Sequence, residues 1–296
     1  MINFMKYKLI YFLISLSVIG PGVFFLLTSG LKPSIDFTGG TLWEIRGEKE
    51  VESGTLKEVF AAQDLAAEVQ SSGEKQFLIK TVPLEESQHV LLAEKLAEKA
   101  GEIEEIRYET LGPRLGAELL RKALLAVVLA TAVILLYVAY RFKNLAYGAA
   151  AILAMLHDTL VLLGVFAILG FLFGVEVDTL FVTAVLTTLS FSVHDTIVVF
   201  DRIREIHRKT ELSYEVVANQ ATEETLVRSL NNSLTIIFML VALLILGGES
   251  LRTFTGALLV GTVTGTFSST FNAVPLLAVW EKFSRQRSLR GILRLR

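Results

Sequence analysis

Six long apolar segments run along the chain, separated by shorter polar stretches. The first, Leu9–Leu31, has no charged side chain, and we expect it to form a helix bent at the triplet Gly20-Pro21-Gly22. Because about 20 apolar residues are needed to cross a bilayer, the pattern predicts a polytopic α-helical membrane protein with six transmembrane helices. The other five predicted spans are Ala123–Tyr140, Ala146–Phe173, Thr179–Phe200, Ser229–Gly248 and Thr253–Trp280.

A polar domain, residues 32–118, lies between the first and second spans. Its apolar periodicity alternates between that of strands and that of helices, in the order β-α-β-β-α-β. This order predicts an α+β domain with a ferredoxin-like fold. The predicted strands are Thr41–Arg46, Ala67–Gln70, Gln76–Val82 and Ile103–Thr110, and the predicted helices are Ser53–Gln63 and Pro83–Ala100.

Charge divides the chain in the same way. Residues 32–118 hold 10 basic and 18 acidic side chains, a net charge of −8, whereas the whole chain has a net charge of −2. The mean hydropathy of +0.56 excludes a single soluble domain, and the small net charge excludes a nucleic-acid binder driven by bulk positive charge. The chain has no cysteine, which excludes disulfides, thiolate catalysis and cysteine-ligated metal sites.

Basic residues in the short connections predict the orientation. Fourteen lie on one side of the predicted membrane, and only Arg252 lies on the other, so we expect both termini in the cytoplasm and the acidic domain outside. The predicted domains are 1–31, the N-terminus and first helix; 32–118; 119–281, helices two to six; and a basic tail, 282–296. The fourteen residues are Lys6, Lys8, Arg141, Lys143, Arg202, Arg204, Arg208, Lys209, Lys282, Arg285, Arg287, Arg290, Arg294 and Arg296.

A cytoplasmic loop is predicted at about 201–227. Ser213 is a candidate N-cap for a helix that runs through Tyr214, Val217 and Ala221. The mixed charge of this segment favours an amphipathic helix on the membrane surface over a catalytic loop.

Ionisable side chains within spans are costly and are functional candidates by default. On the fourth span, Thr188, Ser192 and Asp195 are spaced by four and three residues, so they share one helix face, and His194 lies on an adjoining face. On the fifth span, Arg228 is followed along one face by further polar side chains. The additional polar candidates are Asn231 and Asn232 on the fifth span and His157 and Asp158 on the third.

Two interpretations of Asp195 remain open. In one, Asp195 forms a static ion pair with Arg228. In the other, Asp195 takes up and releases a proton, and Arg228, which cannot lose its own proton, approaches or withdraws in response. We favour the second, because one elementary charge crossing the membrane is worth about 2.3 kcal/mol per 100 mV, an amount comparable to breaking a salt bridge.

The other polar and small residues have structural interpretations beside functional ones. His157 and Asp158 are interpreted as a polar lock between helices, with participation in proton transfer left open. His194 is interpreted as a local hydrogen-bond partner rather than a ligand. Small residues on the sixth span form a stripe that favours close helix packing; they are Gly261, Gly265 and Ser269.

Several strings of residues resemble the SecD/SecF family of protein-export membrane proteins, in its SecF branch, within the resistance-nodulation-division (RND) superfamily. The resemblance covers nearly the whole chain. One string, Ile35–Thr41, contains Asp36, Phe37, Thr38, Gly39 and Gly40. The others are Leu111–Pro113, Leu156–Asp158, Ser192–Glu205 and Arg228–Thr235.

The resemblance implies the function of the site. Asp195 takes the position of the family's proton-sensitive aspartate, and Arg228 that of its functionally paired arginine. Three positions depart from the family pattern: His194 replaces an asparagine, Asn232 a threonine, and Ile236 a second threonine. As a titratable imidazole directly before Asp195, His194 is a candidate proton-coupling residue that would shift the pKa of Asp195 or join the proton relay, and either would alter the family's pH response.

The resemblance also implies partners and location. We expect an accessory subunit of the Sec translocase, not an enzyme, in the bacterial cytoplasmic membrane, with protons as the coupling ion and without metal or other cofactor. The expected partners are SecD as a separate chain, the SecYEG channel, the translocating unfolded polypeptide and membrane lipid, with no nucleic acid. The alternatives are a proton-coupled small-molecule efflux transporter of the same superfamily and a non-titrating structural scaffold of the translocon.

Overall fold

The chain divides into two compact units in its computed structural model, which describes residues 3–73, 75–142 and 144–282. The helical unit contains the residues up to Lys32 and those from Leu125 onward, and the α/β unit is Pro33–Leu124. The bounds of the α/β unit are close to those of the predicted domain, 32–118, and the unit also includes the start of a long helix. Part of the predicted basic side lies outside the described residues: Lys143, Arg285, Arg287, Arg290, Arg294 and Arg296.

The helices and strands follow one another with short connections. A 3₁₀ turn, Phe4–Tyr7, precedes the first helix, and a π-helical turn, Ser269–Ala273, follows the last one, after which residues 274–282 are again helical. In chain order the elements are α1 (Lys8–Thr28), β1 (Lys32–Pro33), α2 (Ile35–Thr38), β2 (Gly40–Gly47), α3 (Ser53–Ala61), β3 (Ala67–Gly73), β4 (Gln76–Thr81), α4 (Glu86–Ala100), β5 (Ile103–Leu111), α5 (Pro113–Phe142), α6 (Leu145–Phe173), β6 (Glu176–Val177), α7 (Thr179–Lys209), α8 (Tyr214–Leu246) and α9 (Glu249–Ser268).

Within the described residues, five helices are long and apolar enough to cross a membrane: α1 with its preceding turn, α5, α6, α7 and α8. They correspond to the first five predicted spans, and α1 continues through Pro21 without interruption. The sixth predicted span is helical in α9 and in residues 274–282, with the π turn between them. That this segment also crosses the membrane stays a prediction.

Capping residues define the ends of α6 and the start of α7. Asn144 Oδ1 accepts a hydrogen bond from the Ala146 N–H at 2.9 Å where α6 begins. The helix ends at Gly174, whose φ of +70° is a conformation that glycine adopts without strain. Asp178 Oδ1 then accepts a hydrogen bond from the Phe181 N–H at 2.7 Å and caps α7. The two helices are therefore joined by a short, well-defined turn.

The predicted loop at about 201–227 is helical over most of its length. Helix α7 extends to Lys209 and α8 begins at Tyr214, directly after the predicted N-cap residue Ser213. The prediction of a separate amphipathic helix on the membrane surface is wrong, because this segment is the first part of α8. Val217 and Ala221 are fully buried in the core of the helical unit, so the apolar face of the segment packs on protein.

The α/β unit contains a four-stranded sheet in the order β3-β4-β2-β5, and every neighbouring pair is antiparallel. With α3 and α4 the elements follow one another as β-α-β-β-α-β, as predicted, and their bounds agree with the predicted ones within a few residues. Alternating apolar residues and turn residues are local signals, which explains why the sequence located these elements well.

The core of the α/β unit lies between the sheet and its two helices. Trp43 and Ile45 of β2, Phe60 of α3, and Leu92 and Leu96 of α4 are at most 1% exposed. Burial of each such large apolar side chain stabilises the fold by about 1.5–3 kcal/mol. This unit therefore has a hydrophobic core of its own, separate from that of the helical unit.

Candidate functional site

Asp195 belongs to α7, and its side chain lies between α7 and α8. Its exposed fraction is 5%, and its neighbours Ser192 and Thr196 are also buried. The Ser229 hydroxyl, on α8, donates a hydrogen bond of 2.6 Å to Asp195 Oδ2. A buried carboxyl group needs such a partner because its polar atoms have lost water. The side chain is thus held toward a neighbouring helix of its own bundle.

A cavity of about 280 Å³ borders the Asp195 carboxyl group. Arg228, His194 and Asn232 line the same cavity, and both Arg228 and His194 are exposed side chains. Within the described part of the chain, no ion pair joins Arg228 to Asp195. The interpretation of a static Asp195–Arg228 ion pair therefore does not describe this conformation. Instead, Asp195 of α7 and Arg228 of α8 line the same cavity.

The polar face predicted on the fifth span lies on the outside of the helical unit. Asn231 and Thr235 are exposed, and the Thr235 hydroxyl donates to the Asn231 carbonyl of its own helix at 2.8 Å. The buried polar face of α8 contains Ser229 and Ser233 instead. Ser233 Oγ accepts a hydrogen bond of 2.6 Å from the hydroxyl of Thr266 on α9.

Asp158, on α6, belongs to a second buried group of polar side chains, which we call the Asp158 cluster: Asp158, His157, Ser192 and Ser268. The Ser268 hydroxyl donates to Asp158 Oδ2 at 2.6 Å, and the Ser192 hydroxyl donates to the same oxygen. His157 Nδ1 lies 2.9 Å from Asp158 Oδ1. The structure thus joins α6, α7 and α9 through three residues that the sequence indicated and a fourth, Ser268, that it did not.

The glycine stripe on α9 packs against α7. A Cβ atom on Gly261 would lie 2.0 Å from Thr188 Cγ2, and a Cβ atom on Gly265 would lie 3.3 Å from Ser192 Cα. The two helices therefore approach closely where small residues permit it. Ser269 is fully buried as well, but it begins the π turn, and its hydroxyl donates to the carbonyl of Thr266 in its own chain segment at 3.1 Å.

Sequence reasoning indicated Ser192 but missed Ser229 and Ser268, the other two serines that donate hydrogen bonds to the buried aspartates from neighbouring helices. A serine in an apolar span carries little signal, because its hydroxyl can also be satisfied by its own helix. One signal was available for Ser268, which follows Gly265 by three residues and so shares its helix face as closely as Ser269 does.

The motif residues Asp36–Gly40 begin with a single helical turn, α2, in the α/β unit. Ser34 Oγ accepts a hydrogen bond from the Asp36 N–H at 3.2 Å and caps this turn. The Thr38 hydroxyl donates to the Ser34 carbonyl at 3.0 Å, and Phe37 is buried. These contacts fix a compact turn before β2.

Two glycines end this turn for a conformational reason. Gly39 has a φ of +76° and Gly40 a φ of +141°, both in the region that favours glycine. A Cβ atom on Gly39 would lie 2.7 Å from the Cα atom of Pro113, the first residue of α5. The glycine pair thus permits the start of β2 to lie directly against the start of α5 within the α/β unit.

Two family models match this chain. The family model for the C-terminal part of the protein-export membrane proteins SecD and SecF matches residues 92–283. The chain belongs to the SecD/SecF family. The model of the SecD/SecF GG motif matches residues 24–51, which include the Gly39-Gly40 pair.

Relatives within the SecD/SecF family cover almost the whole chain. The protein translocase subunit SecF of Thermobaculum terrenum is 42% identical, with 95% of this chain and 94% of the relative covered. The subunit SecF of Anaerolinea thermophila is 37% identical, with 95% and 94% covered. The protein translocase subunit SecDF of Thermus thermophilus is 36% identical over 90% of this chain, which matches 36% of the SecDF length.

Solved SecD/SecF structures share the fold. The crystal structure of SecDF from Thermus thermophilus, a translocon-associated membrane protein, gives a TM-score of 0.84 at 34% identity and covers 95% of this chain. SecDF in its super-membrane-facing form gives a TM-score of 0.72 at 33% identity. The chain spans 39% and 40% of these two solved chains. Its apolar helices and its relatives in the SecD/SecF family place the chain among multi-pass membrane proteins.

Proposed function

We propose that this SecD/SecF-family chain is an accessory subunit of the Sec translocase that uses the proton motive force to promote late stages of protein export. It acts without enzymatic activity or a cofactor of its own, and protons are the coupling ion. The observation that carries the proposal is the buried Asp195 carboxyl group, which shares a cavity with Arg228 of the neighbouring helix.

Proton binding changes the attraction between these two helices. A proton on Asp195 removes the negative charge, so the guanidinium of Arg228, which stays protonated, is no longer attracted to it. Loss of the proton restores the charge and draws Arg228 into the cavity. The Ser229 hydroxyl can donate or accept, so it orients the carboxyl group in both states.

The energy available is sufficient for such a change. One charge crossing the membrane is worth about 2.3 kcal/mol per 100 mV. Coupling free energies between sites in proteins are typically about 1–3 kcal/mol. A single proton at Asp195 therefore suffices to shift α7 relative to α8 in each cycle.

The proposed setting is the bacterial cytoplasmic membrane. The chain crosses it six times, with α9 and residues 274–282 as the sixth span; both termini are cytoplasmic and the α/β unit is outside. The sheet order β3-β4-β2-β5 supports a ferredoxin-like fold for this unit. SecD as a separate chain is the proposed first partner, supported by the fused SecDF relative. The SecYEG channel and the translocating unfolded polypeptide are the others.

Export into inverted membrane vesicles at a fixed ATP concentration tests the proposal. Asp195→Asn should abolish the stimulation of export by a proton gradient, because the amide cannot take up and release the proton. Asp201→Asn is the matched control, since Asp201 lies on the same helix, is half-buried, and pairs with Arg141 at 2.5 Å. Unchanged stimulation in Asp195→Asn would mean that the chain is a scaffold without a titrating role.

A further inference from the structure

The Asp158 cluster lies apart from the cavity that Asp195 shares with Arg228. Asp158, Ser192 and Ser268 are 5%, 1% and 0% exposed, and they come from three different helices. An ionised carboxylate only accepts hydrogen bonds. The two serine hydroxyls on Oδ2 and the His157 ring on Oδ1 provide three donors, as a buried carboxylate requires.

Protonation would change this set of hydrogen bonds. A proton on Asp158 Oδ1 neutralises the carboxyl group, so the two serine hydroxyls no longer donate to a charged oxygen and their hydrogen bonds to Oδ2 weaken. Ser268 has a second acceptor available, since its Oγ lies 3.4 Å from the Gly265 carbonyl of its own helix. A protonated Asp158 therefore releases Ser268 to its own helix and loses its bond to α9.

His157 extends the cluster toward a second cavity. With Nδ1 donating to Asp158, Nε2 of the neutral ring is an acceptor, and this atom is buried without a partner among the described residues. His157 is one of the residues that line a largely apolar cavity of about 410 Å³, whose other polar lining residues are Ser15 of α1 and Thr264 of α9. A proton that binds at Nε2 permits the proton on Nδ1 to pass to Asp158 Oδ1, so charge and protons balance across the ring.

We propose that Asp158, with His157 as its proton donor and acceptor, is a second proton-binding site, and that its protonation releases α9 from α6. The inference rests on the proposed function and adds a site to it. The π turn begins at Ser269, directly after the released residue, and π turns are frequent at functional sites of helices. The release thus occurs where the α-helical hydrogen-bond pattern of this segment already changes.

The charged surroundings of Asp158 are few among the described residues. On its own helix the titratable neighbour is His157. On α7 the nearest titratable side chains along the helix are His194 and Asp195, which follow Ser192 by two and three residues. From the α9 side, Ser268, Ser269 and Asn272 are buried, and none of them titrates. Of the titratable side chains on these three helices, His157, His194 and Asp195 are therefore the ones nearest to Asp158 and its bonded serines.

Spin labels measure the α6–α9 distance directly. Because the chain has no cysteine, cysteines introduced at Leu156 on α6 and Val263 on α9, which are 46% and 51% exposed, can be labelled alone. In the reconstituted full chain, lowering the pH should shift this distance by an amount on the order of 1–2 Å, as in other helix shifts. Asp158→Asn should hold the shifted distance at every pH.

Two further variants keep the outcomes distinct. Ser268→Ala removes one donor and keeps the carboxyl group, and it should also give the shifted distance at every pH. Asp195→Asn should retain the pH-dependent shift while it loses proton-stimulated export. A distance that responds to pH equally in wild type, Asp158→Asn and Ser268→Ala overturns the inference. Proton-stimulated export that survives in Asp195→Asn overturns the proposed function alone.

Discussion

The contact between α1 and α6 depends on two glycines that leave no space for a side chain. A Cβ atom on Gly164 would lie 2.6 Å from the Cα atom of Gly22 and 3.0 Å from its carbonyl carbon. Both atoms belong to the backbone, so no side-chain rotation relieves the clash. Gly164→Ala should therefore force the two helices apart.

The magnitude follows from two opposing contributions. Replacement of a helical glycine by alanine stabilises a helix by about 0.5–1 kcal/mol. Overpacking of a close contact costs about 1–3 kcal/mol. Gly148, on the same helix, is the matched control, because nothing lies within 4 Å of the Cβ atom that alanine would add there. We expect Gly148→Ala to stabilise the chain and Gly164→Ala to be less stable than this control by about 1–3 kcal/mol.

Unfolding of the purified full chain in mixed micelles, followed by circular dichroism as a denaturing detergent is added, measures this difference. The comparison is between the free energies of unfolding of the two variants under identical conditions. If Gly164→Ala is as stable as Gly148→Ala, then α1 and α6 do not approach at these glycines and the argument from close packing is refuted.

Three further predictions concern other contacts. On α9, Gly261→Ala should destabilise the chain because of its clash with α7, whereas Gly256→Ala, where the nearest atom is 3.9 Å away, should not; equal unfolding free energies would contradict this. In the α/β unit, Leu96→Ala should lower the free energy of unfolding by about 2–5 kcal/mol because Leu96 is fully buried. Leu91→Ala, at a 41% exposed position of the same helix, should have little effect. Equal losses of unfolding free energy in the two variants, measured by chemical denaturation, would disprove the assignment of Leu96 to the core. Burial, together with nearby acidic side chains, raises the pKa of Tyr108 above its ordinary value of 10.0. The folded state therefore prefers the neutral phenol, and the stability that this contributes is present below pH 10.0 and is lost as the pH rises through the raised pKa. The phenolate absorbance that disappears in Tyr108→Phe should have its titration midpoint above pH 10.0, and a midpoint at or below that pH would argue against a half-buried ring.

The sequence predicted best what depends on local signals. The strands and helices of the α/β unit follow from alternation and turn residues, and the apolar spans follow from their length. The first residue of α8 was predicted correctly, but this segment was predicted on the membrane surface and instead packs into the helical unit. Its charged outer face resembles that of a surface helix, and only the tertiary packing of Val217 and Ala221 decides that the other face is buried in protein.

The candidate site was predictable in its charged residues and in Ser192, but not in their other two serine partners. Asp158 and Asp195 stand out because a carboxyl group in an apolar span is costly. Ser229 and Ser268 do not stand out, since whether a serine bonds its own helix or a neighbour depends on helix rotation. The π turn at Ser269 changes that rotation, and α-helical spacing cannot predict it.

Helix α7 continues without interruption past Asp195 as far as Lys209. The stretch from Asp195 to Lys209 is a single helical rod of about 21 Å at 1.5 Å per residue. A small tilt of α7 about Asp195 would therefore displace Lys209 by a distance that grows with the length of this segment. The turn from Thr210 to Ser213 links the end of α7 to α8, so a tilt of α7 would also displace the start of the next helix.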